Sequence, residues 1–168
     1  MIGLARGTVR VVPPDAGWPV LFAQEERYLR QRIGHLVRDI QHVGSTLVPG
    51  LDAKPIIDIA VAVSDTQDIA RCRAPLVELG YLDRGDTGSD GGYLFVKEIA
   101  PGIRTHHLHL IALDDPQWTN YLRFRDRLST DATLRSEYAA LKQALQGRFD
   151  RQHALIVSAI LAHLDFPR

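Results

Sequence analysis

The run IIDIAVAV at positions 56–63 constrains this chain more than any other segment. It is rich in β-branched residues and almost unbroken in its apolarity, the pattern of a central strand buried on both faces of a sheet. Such a strand needs a covering layer on each side. Asp58 is the exception inside the run. A carboxylate there is costly unless a cation, a metal or the sheet's edge compensates it. A structural ion pair with Lys54 or an arginine and a functional site both satisfy that demand.

The rest of the chain supplies the layers. Alternation predicts a short strand at 8–12, stopped by Pro13-Pro14. Trp18, Leu21, Phe22, Tyr28, Leu29 and Ile33 recur at helical spacing, which predicts a helix over about 17–34. VRDIQHV (37–43) reads as a strand broken by Gly44-Ser45. Asp65 with Asp68 opens a further helix that runs to Gly80. Short strands near Tyr81 and at 93–97 flank the glycine-rich turn 85–92, and a turn at 100–102 leads to a strand at 104–113. Asp115-Pro116 is a cap followed by proline at the first helical position, and helices are expected at about 116–128, 131–146 and 150–164, with Gly147 ending the second. The expected class is α/β with an α+β-like mixed sheet and C-terminal helices, in one domain over residues 1–168.

The charge balance narrows function. Twenty basic and twenty acidic side chains give a formal net charge of zero, which excludes binding of nucleic acid or an anionic membrane by bulk charge. Cys72 is the only cysteine, so an intrachain disulfide is impossible. The opening MIGLARGTVRVVPP is too polar for a signal peptide and the apolar runs are too short for a bilayer, so a cytoplasmic protein without membrane contact is expected. The apolar segment ALIVSAILAHL near the end leaves room for a homodimer.

Two constellations carry chemistry. Gly44-Ser45 at a strand end offers backbone N–H groups, a hydroxyl and close approach, the makings of a phosphate cradle; a plain turn reads the same way. In Thr105-His106-His107-Leu108-His109-Leu110, alternation puts His107 and His109 on one face and His106 on the other. If that strand lies beside Asp58, then Asp58, His107 and His109 form a two-histidine, one-carboxylate set suited to Zn²⁺, Mn²⁺ or Fe²⁺. Contact of the histidines with phosphate or base is the other reading. His42 would share the mouth of the pocket. Lys54, Lys97, Arg104 and Lys142, with Arg123, Arg125 and Arg127 on the helix after 116, are the cations that could complete an anion site. A solvated surface charge is the other reading of each.

The segment HVGSTLVPGLDAKPIIDI from His42 to Ile59 resembles the signature of the GrpB family, also classed as UPF0157. THHLHL at 105–110, FRD at 124–126, EYAALK at 137–142 and the opening helix with Trp18, Phe22 and Glu25 resemble it as well, so the likeness covers almost the whole chain. Among the three arginines of the helix after 116, the resemblance singles out Arg125, inside FRD. It implies the nucleotidyltransferase, polymerase-β-like fold, and a family that also occurs fused to dephospho-CoA kinases. The resemblance maps the superfamily's phosphate-holding Gly-Ser onto Gly44 and Ser45, followed by Thr46, and its first metal-binding acid onto Asp58. The second acid would stand at position 60, where this chain has Ala60. One carboxylate cannot hold the two ions of a metal clamp.

The implied function is a nucleotide-binding protein that transfers a nucleoside monophosphate from a nucleoside triphosphate to an unknown acceptor, using Mg²⁺ or Mn²⁺, or Zn²⁺ if His107 and His109 are ligands. Two alternatives stand beside it. One is a catalytically degenerate nucleotide-binding or folding-accessory domain, and the other is a metal-dependent phosphohydrolase built on Asp58, His107 and His109.

Overall fold

The computed structural model describes residues 2–8, 10–86 and 92–146. The apolar run becomes β3 (Ile57–Val63), with β2 (Val37–Val43) antiparallel on one side and β6 (Ile103–Ala112) parallel on the other. Beyond β6 come β5 (Tyr93–Ala100) and β4 (Tyr81–Asp86), both antiparallel, giving the order β2-β3-β6-β5-β4. The two-residue strand β1 (Leu4–Ala5) pairs with the start of β6. The sheet is therefore mixed, as expected, and β3 is internal to it.

The parallel β3–β6 pair requires a long crossover. Part of it is α2 (Thr66–Glu78), where the Asp65 carboxylate accepts from the backbone N–H groups of Gln67 and Asp68 at 2.8 and 3.1 Å. That is the predicted cap. The helix α1 (Trp18–Ile33) packs on the same side of the sheet. Trp18, Leu29, Ile33, Ile69, Cys72 and Leu76 from these helices bury Ile57, Ile59, Val61 and Val63 of β3. The opposite face carries α3 (Pro116–Thr130), capped by Asp115 on the N–H of Gln117 at 2.9 Å, and α4 (Ala132–Gln146). Trp118 of α3 covers Ala60, Ala62, Val43 and Ile111. A further cluster of Val48, Leu51, Leu128, Leu134 and Tyr138 joins α3 and α4 to the loop after β2. Odd and even residues of β3 thus meet different helical layers, the two-sided burial that the apolar run demands.

Two expectations are revised. The described residues of the expected 8–12 strand contribute one bridge rather than a strand. Val12 makes a single bridge to Ala53, exchanging both backbone bonds at 2.9 and 3.0 Å, and Pro13-Pro14 removes the donors that would extend it. The strands at 81–86 and 93–100 are longer than the turn chemistry implies, because β5 and β6 extend toward the Gly102 turn. The expected helix at 150–164 and the Gly147 stop lie outside the described residues. Among the described residues, no helix is long and apolar enough to cross a membrane.

Candidate functional site

The register fixes which side chains share a face. Val43, Asp58 and His107 stand in one cross-strand row, and Gln41, Ala60 and His109 in the next. Both rows point toward α3 and α4, since Val43 and Ala60 pack under Trp118. Asp58 and His107 meet, with His107 Nδ1 3.3 Å from Asp58 Oδ1; the His107 side chain is 24% exposed and that of Asp58 31%. The predicted split of the histidines is what the strand shows: His107 and His109 on this face, His106 on the other.

Gly44 turns the chain at the end of β2 with φ +73° and ψ −173°, a region open essentially to glycine alone. The carboxylate of Asp58 rests against it so closely that a Cβ on Gly44 would stand 2.5 Å from Asp58 Oδ2. The turn continues as a short 3₁₀ segment, Ser45–Leu47. There Ser45 Oγ lies 3.3 Å from the Tyr138 hydroxyl of α4. One turn further along α4, Lys142 Nζ donates to the Asp52 carbonyl at 2.7 Å and sits 5.1 Å from the centre of the Tyr138 ring. Ser45, Asp58, His107, Tyr138 and Lys142 are thus drawn together from three parts of the chain, with Lys54 alongside.

The electrostatics follow from the partial burial. Burial, reinforced by the neighbouring charge of Lys54, lowers the Lys142 ammonium to about 8 while Asp58 and the Asp52 carboxylate oppose the change. Lys54 is likewise lowered by burial against the pull of Asp58. Burial raises the Tyr138 hydroxyl, and its bond to Ser45 works the other way. Two amines therefore share one carboxylate in partly dried surroundings, an arrangement that favours an anionic ligand. Toward the sheet edge, Arg125 donates to Gln41 Oε1 at 2.6 Å and to Asp126 at 2.7 Å, which brings it to the row of Ala60. The His109 ring lies 5.1 Å from that of Tyr121 on α3.

Other sequence candidates go elsewhere. His42 does not line this site: it points to the α1 face, only 4% exposed, stacked 4.8 Å from the Phe22 ring. Its Nε2 lies 3.0 Å from Thr46 Oγ1, so the buried Thr46 hydroxyl faces His42 as well. The alternation that sets Asp58 toward α4 necessarily sets His42, opposite Ile59, the other way. Arg104 pairs across strands with Leu4 and Glu98, and its charged neighbours are Arg6, Arg84 and Glu98. Lys97 donates to both carboxylate oxygens of buried Glu25 at 2.8 and 2.9 Å, joined by the Tyr81 hydroxyl at 2.9 Å. Tyr138 and Gln41 join the site although no motif in the sequence marks them as site residues. The spacing of Tyr138 and Lys142, one helical turn apart, is the available signal for the first.

The donor set does not fit a metal clamp. Ala60 leaves Asp58 as the sole acid of its row pair, with Gln41 and His109 as the flanking side chains. Asp58 is engaged by His107. Among the described residues, no group of three histidine, cysteine, aspartate or glutamate side chains is placed to hold a metal ion. Of the expected Asp58, His107 and His109 set, Asp58 and His107 are in contact and His109 stands in the next row of the same face.

The profile of the GrpB protein family matches residues 8–156. The chain belongs to the GrpB family. It is 34% identical over 152 residues to the glutamate-rich protein GrpB of Alkalihalophilus pseudofirmus, covering 89% of this chain and 87% of that protein. A UPF0157 protein of Pseudomonas aeruginosa is 41% identical over 143 residues, and the match spans 84% of this chain but 58% of the relative. A dephospho-CoA kinase of Mycolicibacterium paratuberculosis is 30% identical over 172 residues, of which the match spans only 42%. Among solved structures, GrpB from Enterococcus faecalis superposes with a TM-score of 0.79 at 28% identity, covering 92% of this chain and 96% of that one. The Cid1 poly(U) polymerase, solved with MgATP, gives a TM-score of 0.55 at 10% identity over 81% of this chain and 44% of its own. That likeness concerns the fold, which is nucleotidyltransferase-like.

Proposed function

We propose that this GrpB protein binds a nucleotide through its phosphates at the Asp58 site. The observation that carries the reading is the convergence of the Gly44-Ser45 turn with Lys54 and Lys142 around Asp58, at the end of β2 and the start of β3. A phosphate there would meet the Ser45 hydroxyl and two ammonium groups, and hydrogen bonds to charged partners are the strong ones. Transfer of a nucleoside monophosphate is the weaker form of the proposal, because Ala60 removes a carboxylate that metal-assisted transfer requires.

The test is saturable binding followed by competition. A radiolabelled nucleoside triphosphate should bind in equilibrium dialysis, be displaced by unlabelled triphosphates, and resist displacement by the corresponding nucleoside. Ser45→Ala should weaken binding by about tenfold to a hundredfold, the value of one hydrogen bond to a charged phosphate. A nucleoside that competes as well as its triphosphate would sink the phosphate-based reading. Label appearing on an acceptor or on water would promote the transfer reading.

The relatives named dephospho-CoA kinase favour a second reading of the unit as a whole. This chain spans 42–44% of those proteins, so the unit occurs beside a kinase in one polypeptide. On that reading the domain is an accessory module, and sedimentation with a separate dephospho-CoA kinase should show a complex.

A further inference from the structure

Resting on the nucleotide-binding reading above, we infer that the site takes a phosphate ester free of divalent metal, with Lys54 and Lys142 supplying the positive charge that a pair of metal ions brings in a nucleotidyltransferase clamp. Two observations carry it. The carboxylates that would hold ions are missing or occupied: Ala60 stands where a second acid would stand, and Asp58 lies against the Gly44 backbone with His107 Nδ1 3.3 Å away. Conversely, cations are built in. Lys142 is fixed by the Asp52 carbonyl at 2.7 Å and by the Tyr138 ring, and Tyr138 reaches Ser45 of the phosphate-binding turn.

Asp58 changes role in this arrangement. Its charge acts on both lysines, so it is the counter-ion that keeps two partly buried amines tolerable before ligand arrives. An entering phosphate replaces that partner and competes with it. A metal ligand would do the reverse, since it attracts the metal and through it the phosphate. The two roles predict opposite effects of removing the Asp58 charge.

Isothermal titration with ATP and UTP decides between them, in EDTA and then with Mg²⁺ or Mn²⁺ at constant ionic strength. Binding in EDTA should be at least as tight as with metal. Asp58→Asn keeps shape and removes charge, and should bind about threefold to tenfold more tightly in EDTA. Lys142→Met should weaken binding by about tenfold or more, with Lys54→Met as the second variant if the first melts early. Binding that requires metal and disappears in Asp58→Asn would overturn this inference and leave nucleotide binding standing. Unchanged affinity in both lysine variants would also overturn it. Absence of binding to either nucleotide under every condition would overturn the nucleotide reading together with this one.

Discussion

Gly44 is the residue on which fold and site depend jointly. Its φ of +73° with ψ −173° excludes other residues on conformational grounds, and Asp58 excludes them on steric grounds. The two penalties are separable. Gly44→Ala is expected to cost about 2–4 kcal/mol in denaturant unfolding, combining backbone strain with the clash at the carboxylate. Combined with Asp58→Ala, which deletes the oxygen 2.5 Å away but leaves a Cβ at 3.0 Å, the added cost of Gly44→Ala should fall to about 1–2 kcal/mol. Strict additivity of the two substitutions would show that the close approach carries no strain of its own. Ala60 is the opposite case. Nothing crowds its methyl group out, since it packs among Val43, Ala62 and Trp118, and its importance lies in the carboxylate it lacks.

At the scale of elements, α4 decides what the site contains. It delivers Tyr138 and Lys142, and it is held by a cluster separate from the main core, built from Val48, Leu51, Leu128 and Leu134. Leu128 is fully buried there. Leu128→Ala should cost about 2–4 kcal/mol, and hydrogen exchange should show the loss concentrated in α3 and α4 while β3 stays protected. Equal acceleration in β3 would mean that the two clusters unfold as one. This element also marks how far the sequence could be read. The strand from Ile57, the Asp65 and Asp115 caps and the facing of His107 all follow from local rules of period and capping. Asp58 and Gly44 stood out because each breaks its local pattern. The position of Tyr138 depends on which helix folds onto which face, and the neighbours of Gln41 and Arg104 on which strands pair; no local period encodes either. His42 failed for a related reason: proximity in sequence to Gly44-Ser45 suggested the site, while a one-residue step along β2 put it behind the sheet.

At the scale of the whole molecule, the sheet divides two polar systems that differ in how they meet water. The α3/α4 face holds the half-exposed Asp58 site. The α1 face holds His42 and His106, 4% and 9% exposed, beside the buried Glu25–Lys97–Tyr81 network. Burial lowers both histidines to about 4; their mutual repulsion adds to this for His42, while Glu25 and Asp58 pull His106 upward and Lys97 and His107 push it down. The folded state therefore resists protonation that the unfolded chain accepts near 6.5. Above that value the two states bind these protons equally and the full stability is present. As pH falls from about 6.5 toward 4 the unfolded state is favoured, by on the order of 3 kcal/mol for each histidine, and below 4 these groups add no further loss. Against a total stability of roughly 5–15 kcal/mol, that is a large fraction. Urea unfolding from pH 7.5 to 4.5 should show the decline in the wild-type protein. His106→Gln, which cannot take up a proton, should flatten it by about 2–3 kcal/mol over that interval. Parallel curves for the two proteins would remove His106 as a source of the acid sensitivity.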